Sequence, residues 1–145
     1  MKKYPMIAAV ILSAATAFAH VAVRPTQSKR SATEMYTLRV PSEGGKTTTG
    51  LVLTVPAGVT IVSVGVPKDG AAVAYSRKSA TGAEEVTWNI EIKPGEVAEL
   101  IFTAVNSSEG DAVAWKVQQK YSDGSSQNYA PTTGLEAGVS APKAP

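Results

Sequence analysis

Glu34-Met35-Tyr36-Thr37-Leu38-Arg39-Val40 carries Tyr36, Leu38 and Val40 at one parity, with more polar residues between them. Successive side chains of an extended chain point to opposite faces, so this parity puts those three on the buried face of a sheet. A helix would need apolar spacings of three and four, which the run lacks. The same alternation returns at Leu51, Leu53 and Val55, at Val86, Trp88 and Ile90, and at Leu100, Phe102 and Ala104. Working outward, the candidate strands are His20–Arg24, Glu34–Val40, Gly50–Val55, Val59–Val66, Ala71–Arg77, Glu84–Ile92, Val97–Val105, Ala112–Tyr121 and Ser126–Tyr129. Turn formers separate them: Pro41-Ser42-Glu43-Gly44-Gly45, Pro56-Ala57-Gly58, Pro67-Lys68-Asp69-Gly70, Lys93-Pro94-Gly95 and Ser122-Asp123-Gly124. Strands at this spacing with turns between them predict an all-β chain. They fold as a single antiparallel sandwich, immunoglobulin-like or cupredoxin-like, of about 7–9 strands.

Both ends of the chain read differently. Lys2 and Lys3 precede an apolar run from Met6 to Ala15, and Ala17-Phe18-Ala19 follows with small residues flanking the last large one. That three-part pattern predicts a signal peptide over residues 1–19, cleaved before His20, and the run is shorter than the ~20 residues that span a bilayer. The expected product is a sandwich domain over residues 20–131, exported to the periplasm or secreted, without a membrane anchor. From Thr132 to Pro145 the chain is rich in Ala, Gly, Pro, Ser and Thr, which predicts a flexible tail.

Losing Lys2 and Lys3 takes the formal charge from +2 to neutral. A neutral chain without a basic cluster is a poor match for nucleic acid or anionic membrane. There is no cysteine, which excludes thiolate metal sites, redox dithiols and cysteine nucleophiles. The only histidine is His20, and Met35 is the only methionine after the leader. A Ser-His-Asp triad would have to use a terminal His20 as its base, a poor place for an oriented imidazole. At a mature N-terminus, however, the α-amine and imidazole Nδ1 of one residue can chelate a single ion. Both are borderline nitrogen donors of the kind that favour copper(II).

The residues around His20 sharpen this reading. Ala19-His20-Val21-Ala22-Val23-Arg24-Pro25, Tyr36-Thr37-Leu38-Arg39-Val40-Pro41-Ser42-Glu43, Val86-Thr87-Trp88 and Ile92-Lys93-Pro94-Gly95-Glu96 occur in that order. They are followed by Ala114-Trp115-Lys116-Val117-Gln118-Gln119-Lys120-Tyr121-Ser122-Asp123-Gly124-Ser125. This ordered set, spanning residue 19 to about 129, resembles the YcnI-like copper-binding family of exported bacterial proteins. The resemblance implies a copper(II) site made by the amine and imidazole of the N-terminal histidine, a mono-histidine brace. It also implies a glutamate ligand and a nearby tryptophan. The glutamate matches Glu43 best, with Glu34 as second choice. At the tryptophan position this chain departs and carries Tyr129, whose phenol adds an oxygen donor that indole lacks. The family's Pro-Gly-Trp is also missing near Val66-Pro67-Lys68-Asp69-Gly70.

Copper-dependent polysaccharide oxidases need a second histidine in their brace, so the single histidine argues for a binding protein rather than an enzyme. Carriers of the Met/His-rich kind need several thioethers for copper(I), and Met35 alone cannot supply them. Trp88 and Trp115, mid-strand and at alternating positions, are expected in the core. The expected role is capture or transfer of copper outside the cytoplasm, in exchange with a copper-trafficking protein. The competing class is a metal-free sandwich module that binds a protein or glycan partner through its loops or an edge strand.

Overall fold

The computed structural model describes residues 20–42, 44–66, 75–79 and 84–138. Twelve strands form among them: β1 (Ala22–Arg24), β2 (Gln27–Lys29), β3 (Thr33–Pro41), β4 (Thr48–Thr54), β5 (Thr60–Val64) and β6 (Tyr75–Ser79), then β7 (Glu84–Ile92), β8 (Val97–Val105), β9 (Ala112–Ala114), β10 (Lys116–Tyr121), β11 (Ser126–Tyr129) and β12 (Thr132–Glu136). One sheet has the order β1-β3-β8-β5 and a second the order β11-β10-β4-β7-β6. Both are antiparallel throughout. A third, small sheet of order β2-β12-β9 contains a parallel pair, β2 with β12.

The alternation read from β3 decides what is buried. Tyr36, Leu38 and Val40 are fully buried; Phe102 and Leu100 of β8 stand opposite the first two and are buried with them, as is Ala104 on the same face of β8. The second sheet answers with Leu51 and Leu53, Val86 and Trp88, and Val117. Trp115, also fully buried, packs its ring 4.9 Å from Tyr36 and 5.3 Å from Phe102, so the core centres on three aromatic rings. Each large side chain so buried contributes roughly 1.5–3 kcal/mol. A chain without cysteine depends on that packing.

The expected all-β sandwich is what forms, with more strands than the seven to nine read from the sequence. Extra strands come from short segments. The run Ala112–Tyr121 divides at Trp115, whose amide pairs with Pro131 rather than continuing the ladder. The run Val59–Val66 shortens to β5, and a register slip between Ile61 and Ser63 leaves Val62 exposed. Of the candidate strand Ala71–Arg77, residues 71–74 lie outside the described set, as do the proposed leader, residues 1–19, and the end of the chain from residue 139.

A correction concerns the tail. Thr132–Glu136 is not loose: it forms β12, which pairs with β9 on one side and β2 on the other. Thr133 and Leu135 point inward and are buried, and Thr133 Oγ1 accepts from Trp115 Nε1 at 3.1 Å while donating to the Pro25 carbonyl at 2.9 Å. One buried leucine, two ladders and a satisfied indole offset the ordering cost of five residues, which an average over fourteen residues conceals.

Candidate metal centre

Val21 and Val23 are buried at 6% and 2% exposure, and these two side chains hold the start of the chain against the core. β1 pairs with β3 so that Ala22 faces Arg39 and Arg24 faces Thr37. Continuing that register by two residues brings His20 level with Pro41, the last residue of β3. His20 itself is exposed, and its imidazole lies against the ring of Tyr129, with centroids 5.9 Å apart and planes inclined at 49°. Tyr129 closes β11, pairs with Val117 and packs half-buried against the core. β1 and β11 are the edge strands of the two large sheets, so this contact spans the mouth of the sandwich between them.

Glu43 lies outside the described residues. Its neighbours do not: Ser42 is buried, and Gly44 and Gly45 follow with φ of 65° and 69°. Two successive left-handed residues turn the chain from the end of β3 across to β4 in the opposite sheet, and only glycine does this without strain.

Glu34 is not part of this centre. It stands at the other end of β3, seven residues from Pro41, which is roughly 20 Å along an extended strand. There its Oε2 accepts from Ser28 Oγ at 2.8 Å, beside a buried network in which Asn106 Nδ2 donates to Ser28 Oγ and Tyr36 Oη donates to Asn106 Oδ1. Burial holds the Tyr36 hydroxyl in its neutral form, raising its pKa above 10.0. Among the described residues no three of His, Cys, Asp and Glu cluster closely enough to grip a metal by side chains alone. The imidazole of His20 is the one strong nitrogen donor the described site offers, and the α-amine of a chain beginning there would supply the second.

Residues that the sequence did not single out fasten the described part of the β3–β4 loop. Gln119, fully buried on β10, donates from Nε2 to the Pro41 carbonyl at 3.0 Å and to Thr48 Oγ1 at 2.7 Å. Ser42 Oγ donates to the Lys46 carbonyl. The Lys46 ammonium reaches Asp123 at 3.2 Å and Ser125 at 3.1 Å in the β10–β11 turn, and lies 5.3 Å over the Tyr121 ring. The Ser125 hydroxyl and backbone amide, together with Lys46, lower the Asp123 pKa to about 2. A carboxylate depressed in this way keeps its charge above its ordinary range and loses the contact only as pH falls toward that value. The segment expected to be only a hairpin turn is therefore fastened to the β3–β4 loop. The sequence held one signal for this: Gln119 shares the inward parity of Val117 and Tyr121, where an apolar residue would be the rule.

Comparison with known proteins bears on family and fold. A copper-binding protein of Bacillus subtilis (strain 168), CutI, is 32% identical over 123 residues, which cover 83% of this chain and 59% of that protein. The present chain thus spans about three-fifths of its relative's length. Among solved structures, an uncharacterised protein from Nocardia farcinica with an immunoglobulin-like fold matches at a TM-score of 0.61 and 22% identity, over 80% of this chain and 97% of that one. A cohesin module from a Clostridium perfringens family 33 glycoside hydrolase matches at 0.56 and 8% identity, over 81% and 98%. At such identities these two speak for the fold alone. The family model "Domain of unknown function (DUF1775)" matches residues 20–145, and the chain belongs to that family, consistent with the YcnI-like copper-binding resemblance in its motifs.

Proposed function

We propose that this protein binds copper(II) outside the cytoplasm, capturing the ion or passing it on, through the amine and imidazole of His20 once residues 1–19 have been removed. Glu43 supplies a carboxylate oxygen, and Tyr129 covers one side of the imidazole. The observation that carries this reading is the exposed His20 ring held 5.9 Å from Tyr129 at the mouth of the sandwich. A relative that is a copper-binding protein supports the choice of metal. The amine nitrogen, Cα, Cβ, Cγ and Nδ1 close a six-membered ring with the ion, and the buried Val21 and Val23 fix the backbone from which both donors extend. A carboxylate in the nearby turn offsets part of the metal's charge, and an aromatic ring on one side keeps water from part of it. Both nitrogens must shed protons to bind, so affinity falls on acidification.

The test uses protein whose first residue is His20, titrated with copper(II) and followed by visible absorption and EPR. A one-to-one spectral change is expected, lost in His20→Ala and in a variant with one residue added before His20. Unchanged spectra at one equivalent would remove the copper reading and leave a metal-free interaction module. Equal binding by the extended variant would exclude the amine as a ligand. Intact mass of the exported protein settles where the leader is cut.

A further inference from the structure

The two outer faces of this sandwich differ. The second sheet turns Lys116, Gln118 and Lys120 of β10 and Thr87 and Asn89 of β7 outward, the polar-out alternation of an antiparallel sheet with one wet face. The first sheet departs from that rule. Among the described residues, all five large apolar side chains that stay exposed belong to it: Met35 on β3, Val97 and Ile101 on β8, Val62 on β5 and Val66 just beyond. Met35 keeps 64% of its surface in water and Ile101 45%. The edge strand leaves Ile101 bare. Gly65 donates to the Ile101 carbonyl at 2.6 Å, and a Cβ there would meet that oxygen at 2.9 Å. An apolar patch rimmed by polar residues marks a contact surface.

Charge on the same face says what the contact is with. Arg39 of β3 and Glu99 of β8 stand opposite each other in the ladder, and both point outward, away from the buried parity of Leu38, Val40 and Leu100. They do not pair with each other, since the ion pairs of the described residues lie at Arg30–Asp111 and Lys46–Asp123. Consider a twofold axis running along the strands, above the seam between β3 and β8. It sets Arg39 of one copy over Glu99 of the other, and Glu99 over Arg39. The same axis puts Thr37 over Ile101 and Met35 over Thr103, two residues along from the facing Ile101. Arg24, level with Thr37 at one edge of the sheet, meets the gap that Gly65 leaves at the other. An isologous contact needs a surface that is complementary to itself, and this one is.

We propose that the outer face of the β1-β3-β8-β5 sheet binds a second copy of this chain. The two sheets pack face to face and aligned, with Met35, Ile101 and Val97 buried between them and two reciprocal Arg39–Glu99 pairs formed. Three strand spacings, roughly 15 Å, span the face, so the contact falls at the small end of specific interfaces, with a dissociation constant on the order of 10–100 μM. Because the axis follows the strands, both mouths, each with its His20, open at the same pole of the dimer. The dimer does not depend on the copper reading.

Sedimentation equilibrium of metal-free protein beginning at His20, from micromolar to millimolar concentration, tests the proposal. Reversible dimers are expected. Arg39→Glu and Glu99→Arg are each expected to weaken self-association by about tenfold or more, because each places two like-charged contacts in the dimer. An equimolar mixture of those two variants is expected to recover association as a heterodimer, since every facing pair is then opposite in charge. Ile101→Lys is expected to abolish association, and thermal unfolding shows that each variant is folded. Wild type that stays monomeric throughout overturns the proposal; if it then floats with phosphatidylglycerol vesicles, the face serves a lipid surface instead. Association that neither charge variant weakens, or that their mixture fails to recover, places the contact elsewhere and also overturns it. Should a charge variant not fold, Ile101→Lys and Met35→Lys carry the test, and dimers untouched by both overturn it.

Discussion

Tyr129 and Tyr36 show how one residue type serves two ends of the same sandwich. At the mouth, the Tyr129 ring lies against His20, and an aromatic contact of this kind is worth about 0.5–1.5 kcal/mol. Tyr129→Ala is therefore expected to weaken copper(II) binding by that amount, while Tyr129→Trp keeps it; chelator competition measures both, and an unaffected alanine variant would make the contact incidental. At the other end, Tyr36 is fully buried with its hydroxyl on Asn106 and its pKa raised by burial. The sign follows from the direction of that shift. A neutral hydroxyl favoured by the fold contributes fully below the ordinary pKa of 10.0, and the contribution is lost as pH rises through the folded value. Urea midpoints should fall steeply above pH 10, and less steeply in Tyr36→Phe. That variant should lose about 1–2 kcal/mol at neutral pH, since it leaves Asn106 Oδ1 without its donor. His20 stood out in the sequence as the single histidine beside a cleavage pattern, whereas Tyr129 entered only through the family resemblance, at the position of its tryptophan. Glu34 misled because closeness to β3 in sequence says nothing about which end of β3 a residue occupies.

Strands with clean alternation could be read almost to the residue: β7 and β8 begin and end where the pattern does. Those that sequence missed, β2 and β12, show no apolar period because only one of their buried side chains is apolar: Ser28 is buried in one, Thr133 and Leu135 in the other. Their order comes from long-range pairing, which no local window contains. If β12 belongs to the cooperative unit, Leu135→Ala should cost about 2–4 kcal/mol. It should lower the urea midpoint at constant slope without changing copper affinity. A cost below about 0.5 kcal/mol would make β12 a detachable strand. Gln119 was also visible in principle, as a polar residue at an inward parity. What alternation could not show was its partner, because Pro41 is 78 residues away along the chain.

For the molecule as a whole, binding at His20 should register as stability. A ligand that binds only the folded state adds about 2.7 kcal/mol at a hundred times its dissociation constant. Copper(II) should raise the unfolding temperature by several degrees for protein beginning at His20, and leave it unchanged when a residue precedes His20. A rise in both would point to copper held elsewhere. The direction of β12 adds a practical corollary. It runs parallel to β2, and its last residue, Glu136, faces Lys29 and accepts from the Arg30 amide, near the start of β3, whereas His20 is level with that strand's other end. Nine strand residues, roughly 25 Å, separate the two. Anything tethered after Glu136, whether an affinity handle, a dye or a solid support, is held at the far pole, and an immobilised copy would turn its histidine toward the solution.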